Sequence, residues 1–239
     1  MPALRILHTN DFHGKLNERR FGLLKSLREE ADLYFDCGDA IKCGNLAIPV
    51  SPDPAWAHLQ ALDCTASVPG NRESHPLAMG MRAKFAGVSH PILCANWFDK
   101  SGVSVFARSQ CFEVRGVRVG VFGVMVPIAT RRMTLYPASQ YEWTQAIEAA
   151  REVAAALRPE CDLLIALTHI GLPQDRRLAE ACPELDLILG GHSHDVLESP
   201  EVIGRASICQ TGSHGRFAGK IKAVRSSSGW SVQNRLLPL

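Results

Sequence analysis

Residues of metal-ligand type stand in five short segments of the chain: Asp11-Phe12-His13, Gly38-Asp39, Gly70-Asn71, Thr168-His169 and Gly190-Gly191-His192-Ser193-His194. Carboxylate, amide and imidazole together form a mixed hard and borderline donor set, which suits manganese, iron or zinc better than calcium. Asp11 and His13 are two apart with Phe12 pointing away, so both reach one ion. His192 and His194 repeat that spacing and face either the same ion or two neighbouring ones. Glycines beside these residues permit close backbone approach and unusual dihedrals. A lone D-x-H or G-D arises often by chance, and a single histidine is ordinarily a surface or satisfied core residue. His8, His58 and His90 keep that ordinary reading. The ordered series of five does not, and it points to a metal site.

These segments need elements that bring them together. Nearly every one follows directly on a short apolar run that reads as a buried strand: Leu4 to Leu7, Leu33 to Phe35, Thr65 to Val68, Leu163 to Leu167 and Leu185 to Leu189, with further runs at Pro91 to Cys94 and Val117 to Val126. Helical periodicity covers Glu18 to Glu30, Pro54 to Leu62, Pro76 to Phe85, Glu142 to Leu157 and Pro173 to Ala181. Alternating strands and helices predict an α/β fold, whose ligand sites assemble at the carboxyl ends of strands. From Ser104 to Val126 and from Ala206 to Leu236, closely spaced strands with turns at Arg115-Gly116 and Ser228-Gly229 predict hairpins finishing two packed sheets. Ile48 to Pro54 and Pro127 to Pro137 read as surface loops. No repeat or linker divides the chain, so residues 1–239 are expected to form one domain.

Composition narrows the possible classes. The chain has 239 residues, 46% hydrophobic and 21% charged, which is globular rather than disordered. A net charge of +2 with dispersed basic residues gives no nucleic-acid stripe. The longest apolar stretch, near Val119 to Thr130, is broken by Pro127 and falls short of the ~20 residues a membrane helix needs. The first residues turn polar before a leader-like apolar run forms. The 8 cysteines are scattered without a C-x-x-C pair and are expected to be reduced, mostly core thiols, in a cytoplasmic protein.

The ordered segments resemble the D-x-H, G-D, G-N-H-[DE], H and G-H-x-H blocks of the calcineurin-like metallophosphoesterases. The context T-N-D-F-H-G, the motif G-G-H-S-H and the run Gln210-Thr211-Gly212-Ser213-His214-Gly215-Arg216-Phe217 resemble the catalytic domain of the 5′-nucleotidase family, over Leu4 to about Val224. The resemblance implies a four-layer αββα fold, two mixed sheets packed together with helices outside. It implies one metal held by Asp11, His13, Asp39 and His194, with Asp39 bridging to a second held by Asn71, His169 and His192. The cofactor is then a pair of divalent ions, manganese first, with zinc, iron or magnesium as alternatives. The expected partner is a small phosphorylated substrate such as a nucleotide. The family's C-terminal nucleotide-clamp domain has no counterpart within these residues, so a homo-oligomeric partner chain is expected to complete the pocket.

One block departs from the pattern. In Gly70-Asn71-Arg72-Glu73, Arg72 stands where the family has its catalytic histidine. Arginine clamps phosphate and stabilises charge but does not deliver a proton. The expectation is therefore a phosphoesterase favouring a diester or activated monoester, with Arg72 catalytic and substrate-binding. The rivals are an ordinary 5′-nucleotidase or phosphomonoesterase, and a metal-loaded binding protein without turnover. Asn96, His214 and Arg216 are further candidates for substrate binding. His75 reads as an exposed loop histidine, Arg131-Arg132 as a solvated pair and Cys37 as a packed strand residue.

Overall fold

A computed structural model describes residues 3–227 and 229–239. In chain order the elements are β1 (Ala3–Thr9), α1 (Glu18–Glu29), β2 (Leu33–Asp36), α2 (Pro54–Ala61), β3 (Ala66–Ser67), α3 (Ala78–Lys84), β4 (Trp97–Asp99), β5 (Ser109–Val114), β6 (Val117–Met125), β7 (Tyr141–Trp143), α4 (Ala146–Leu157), β8 (Leu163–His169), α5 (Leu172–Ala181), β9 (Leu187–Leu189), β10 (Glu201–Ile203), β11 (Ala206–Cys209), β12 (Phe217–Ser226) and β13 (Gly229–Pro238). One sheet runs β13-β12-β1-β2-β3 and the other β10-β11-β9-β8-β6-β5, while β4 and β7 form a separate pair. Both large sheets are mixed. β1, β2 and β3 run parallel in the first, and β6, β8, β9 and β11 run parallel in the second.

Alternating side-chain direction along the strands builds the layers. Leu4 and Ile6 of β1 pack with Leu163, Ile165 and Leu167 of β8 in a core between the sheets. Leu7 turns the other way and packs with Leu24 of α1 and Leu59 of α2. On the far side, Leu164 and Ala166 meet Ala150 and Val153 of α4 and Leu178 of α5. The result is helices, sheet, sheet, helices: the αββα arrangement. Burying a leucine or isoleucine this fully stabilises by about 1.5–3 kcal/mol each, which is why the alternation fixes the register.

Local chemistry sets the element ends. Asn17 caps α1 by accepting from Arg20 N at 3.1 Å, and Asp53 caps α2 by accepting from Ala55 N at 3.0 Å ahead of Pro54. Arg115 and Gly116, with φ of 53° and 73°, make the tight turn between β5 and β6. The expected turn at Ser228-Gly229 falls partly on Ser228, outside the described residues, and β12 and β13 pair up to Ser226 and Gly229 on either side.

The structure differs from the sequence reading at several edges. The helix expected from Glu142 begins at Ala146, because Tyr141–Trp143 pairs with Trp97–Asp99 and buries Trp143 against Trp97. The helix expected from Pro76 begins at Ala78. Pro91 to Cys94 forms single-residue bridges from Ile92 to Ser67 and from Leu93 to Ala107 rather than a full strand. The cysteines are all free thiols, six of them buried, with Cys43 partly buried and Cys111 exposed. No described helix is long and apolar enough to cross a membrane.

Candidate metal centre

The parallel strands of both sheets end at one edge of the sandwich, and the five ligand-bearing segments meet there. Beyond β1 and β2 the hydrogen-bond ladder continues into the loops, with Asp11 N donating to Gly38 O at 2.9 Å and His13 N to Asp39 O at 2.8 Å. This zipper places the Asp11-His13 turn beside Asp39. From the other sheet, Gly191 lies where the two crests touch: a Cβ there would fall 2.8 Å from Cys37 O and 2.9 Å from Asp11 Oδ2. Only glycine permits that approach. Asp11, His13, Asp39, His192, His194 and His214 all have φ between 51° and 81°, a left-handed conformation that non-glycine residues rarely adopt. Backbone strain of this kind, of order 1–3 kcal/mol per residue, persists only where the surroundings enforce it, and here it is concentrated on the candidate site.

The predicted ligands fall into two groups that share Asp39. In the first, His13 Nε2 lies 3.4 Å from Asp11 Oδ1 and 3.3 Å from Asp39 Oδ2, and His194 Nε2 lies 3.3 Å from Asp11 Oδ1. In the second, His169 Nε2 lies 3.5 Å from Asp39 Oδ1 and 3.2 Å from Asn71 Oδ1, and His192 Nδ1 lies 2.9 Å from Asn71 Oδ1. Asp11, His13 and His194, and likewise Asp11, Asp39 and His169, bring ligand atoms close enough together to hold an ion. Asp11 Oδ1 and His13 Nε2 are buried with no hydrogen-bond partner among the described residues. Two such atoms facing each other are costly without a cation between them, so the donor set fits a metal.

The carboxylates and imidazoles perturb one another. Burial works against charge on His13, yet Asp11 and Asp39 outweigh it and raise its pKa to about 9. Asp11 is likewise penalised by burial, but the His169 charge, the nearby His13 ring and the hydrogen bond from Asn10 lower its pKa to about 2. Burial and the neighbouring His169 push His192 down. His169 Nδ1 lies 2.7 Å from Cys37 O, which turns Nε2 toward the site.

The remaining candidates separate clearly. Arg72 lies at the site: its N–H donates to Asp39 Oδ1 at 2.7 Å, Nη1 donates to Lys42 O at 2.9 Å and Nε lies 3.8 Å from Asp39 Oδ2. The exposed His214 also borders it, with its ring 4.8 Å from that of His13 and 5.9 Å from that of His194. Arg216 is exposed in the same segment, its guanidinium beside Gly212. Asn96 does not reach the site. It is fully buried, with Nδ2 donating to Met125 O and Thr144 O and Oδ1 accepting from Met125 N, so it ties the end of β6 to the connection between β7 and α4 and is not free to bind substrate. His75 corrects the sequence reading as well: it is buried against Gly80, beside Leu77 N and Leu46 O, and is not an exposed loop residue. Arg131 is paired with Glu142 at 2.8 Å. Cys37 packs as expected, and its carbonyl serves His169.

The positioning groups were missed by sequence reasoning. Glu73 is buried and accepts from Asp39 N and Gly70 N, both at 2.8 Å, and from Ile41 N at 3.1 Å. Asn10 donates to Asp11 Oδ2 at 2.7 Å and to Gly212 O at 2.6 Å. Gln210 and Asp175 support the Gly190–His194 loop, and a Cβ on Gly190 would lie 2.3 Å from Asp175 Oδ2. For Glu73 and Asn10 adjacency to the ligand motifs was an available signal, whereas for Asp175 and Gln210 there was none.

A calcineurin-like phosphoesterase family model matches residues 4–196. The chain is 25% identical over 242 residues to an uncharacterized metallophosphoesterase, YunD, of Bacillus subtilis, covering 97% of this chain and 52% of that protein. It is 28% identical to a 5′-nucleotidase of Vibrio cholerae, covering 84% of this chain and 42% of the relative. The chain thus spans about half or less of the length of these relatives. Among solved structures, the calcineurin-like phosphoesterase YfkN from Bacillus subtilis superposes with a TM-score of 0.79 at 21% identity, covering 99% of this chain and 90% of that one. The NAD nucleotidase of Haemophilus influenzae gives a TM-score of 0.81 at 20% identity, covering 99% and 56%. With the αββα layers and the crest of aspartates and histidines, the family match leads to one conclusion: the chain belongs to the calcineurin-like phosphoesterase family.

Proposed function

We propose that this chain hydrolyses a phosphate ester with two divalent cations, manganese first, held by Asp11, His13, Asp39 and His194 on one side and by Asp39, Asn71, His169 and His192 on the other. The observation that carries this reading is the division of Asp39, whose Oδ2 lies 3.3 Å from His13 and whose Oδ1 lies 3.5 Å from His169. When bound, a pair of divalent cations supplies Lewis-acid polarisation of phosphoryl oxygens and lowers the pKa of a water nucleophile. The chain's own residues do the rest. Asp11 and Asp39 provide the negative charge that holds cations, Cys37 O fixes the face of His169, and Glu73 holds the loop that carries Asp39.

Arg72 supports a particular kind of substrate. Its guanidinium is anchored by Lys42 O beside Asp39, so it is placed to stabilise charge developing on a phosphoryl oxygen. It supplies no proton to a leaving group. Esters whose leaving groups depart as stable anions, or diesters, are therefore the favoured class. His214 and Arg216 are the proposed further contacts. Relatives named 5′-nucleotidase support a nucleotide as the phosphorylated partner.

The test is hydrolysis of p-nitrophenyl phosphate and bis-p-nitrophenyl phosphate by metal-stripped protein titrated with Mn²⁺, alongside Asp39→Asn. We expect turnover that requires metal, disappears in the variant and favours the diester. No turnover on either ester with metal bound would overturn the hydrolase reading. An Arg72→His variant that gains on the monoester would show that arginine limits that reaction.

A further inference from the structure

Lys84, the last residue of α3, has its side chain entirely inside the protein. A buried ammonium is costly unless its protons are used. Among the described residues no carboxylate pairs with it. Instead Nζ donates to four main-chain carbonyls: Gly44 O at 2.8 Å, Asn45 O at 2.7 Å, Arg72 O at 2.5 Å and Ser74 O at 2.9 Å. Three protons serve four acceptors, so one is shared.

The carbonyls come in two pairs from two irregular segments. One pair belongs to the loop after Asp39, the other to the turn that holds Asn71 and Arg72. Among the described residues no main-chain hydrogen bond joins the loop at 42–46 to the turn at 70–75. Besides His75 Nε2, 3.3 Å from Leu46 O, what crosses between them is polar side chain next to the site: Asn71 Nδ2 donating to Asn45 Oδ1 at 2.9 Å, and Arg72 Nη1 donating to Lys42 O at 2.9 Å. These contacts depend on the spacing of the two segments, and the Lys84 ammonium lies between them, bonded to both. Its own backbone is fixed separately, since Lys84 O accepts from Trp56 Nε1 at 2.7 Å.

We propose that Lys84 is a positioning residue, a buried ammonium clasp that holds the 42–46 loop against the 70–75 turn and so places Asn71 and Arg72 over Asp39. The consequence for metal and ester rests on the proposed function, whereas the consequence for the two segments does not. The experiment therefore reads both. Lys84→Met keeps the length and apolar stem but removes every donor. Lys84→Ala leaves room for a small amine, and Lys84→Gln, with two donors, serves if the Met variant does not fold.

Amide hydrogen exchange in the metal-free protein is expected to speed up at 42–46 and 70–75 and to stay unchanged in the strands of both sheets. Affinity for Mn²⁺ on the Asn71 side is expected to fall about 10- to 100-fold, the usual effect of losing an outer-shell partner. Added propylammonium, but not tetramethylammonium, is expected to restore part of both properties in Lys84→Ala. Folded variants with wild-type exchange in the two segments would overturn the clasp. Wild-type protein that binds Mn²⁺ without hydrolysing any ester would overturn the hydrolase reading and leave the clasp to be judged by exchange and affinity.

Discussion

The two halves of the candidate centre meet at Asp39, with Asp11 near both, and otherwise differ in kind. Around His13 and His194 stand both Asp11 and Asp39, two full negative charges in a buried setting, and the local field raises His13 to about 9. Around His169 and His192 the neutral amide of Asn71 joins Asp39, with Asp11 also close to His169; burial opposes charge on His169 but Asp39 and Asp11 raise it, whereas burial and His169 push His192 down. Both halves attract cations, protons included, but the second depends on shape as well: a carbonyl that turns His169, and loops that must be held at the right separation. Electrostatic attraction survives small displacements, whereas a neutral amide ligand works only in place. Positioning groups serve both halves, Asn10 on Asp11 in the first and Glu73 and Lys84 on the loops of the second, but only the second depends on them to place a neutral ligand.

Changing Asp39 should break both halves at once. Asp39→Asn is expected to lower metal-dependent turnover by more than about 100-fold, above the range for outer-shell changes, and to abolish stoichiometric binding of two Mn²⁺ by calorimetry. Asp11→Asn should strike the first half selectively and weaken the tighter Mn²⁺ site by at least about 10-fold, with the other site less affected. Equal loss at both sites would contradict the division described above.

Smaller effects sharpen the contrast. Glu73→Gln replaces one acceptor oxygen with a donor facing main-chain N–H groups, and is expected to cost about 1–3 kcal/mol of stability in denaturant titrations. Asn71→Asp adds the missing charge to the second half and should tighten its site about tenfold, equivalent to roughly 1.4 kcal/mol. The smallest effect concerns protons. Because His13 is raised to about 9, it carries a proton in the metal-free protein at pH 7–8, and an ion taking its place must release that proton. Calorimetry in buffers of different ionisation enthalpy should show this release, fading as pH rises past about 9. Release that is unchanged above that pH would assign it to another group. The sign follows for stability too: the raised His13 stabilises the metal-free fold fully below its unfolded value near 6.5, and that contribution is lost as pH rises through about 9.

Much of this centre could be read along the chain because its ligands sit next to strands. A ligand one or two residues beyond an apolar run is positioned by that run, so Asp11, His13, Asp39, His169, His192 and His194 could be named from local pattern and family resemblance. Asn96 and His75 went the other way. Each is a polar residue, and each is held in part by main-chain groups that only the folded chain brings near, Leu46 O for His75 and the Met125 and Thr144 groups for Asn96. Asn96 satisfies Met125 and Thr144, far away in sequence, and His75 fills the space that Gly80 leaves open.

The sequence by itself determined the α/β alternation, the two faces of each strand and the identity of the ligand types, because apolar periodicity and chemistry at strand ends are local properties. Tertiary structure decided how those residues were paired. It split Asp39 between two groups, set Arg72 against Lys42 O, and brought Lys84, Asp175 and Gln210 behind the loops. Those assignments depend on where two irregular segments stop relative to each other in space, and no periodicity records that. It is fixed only when both sheets pack and every buried donor must find an acceptor.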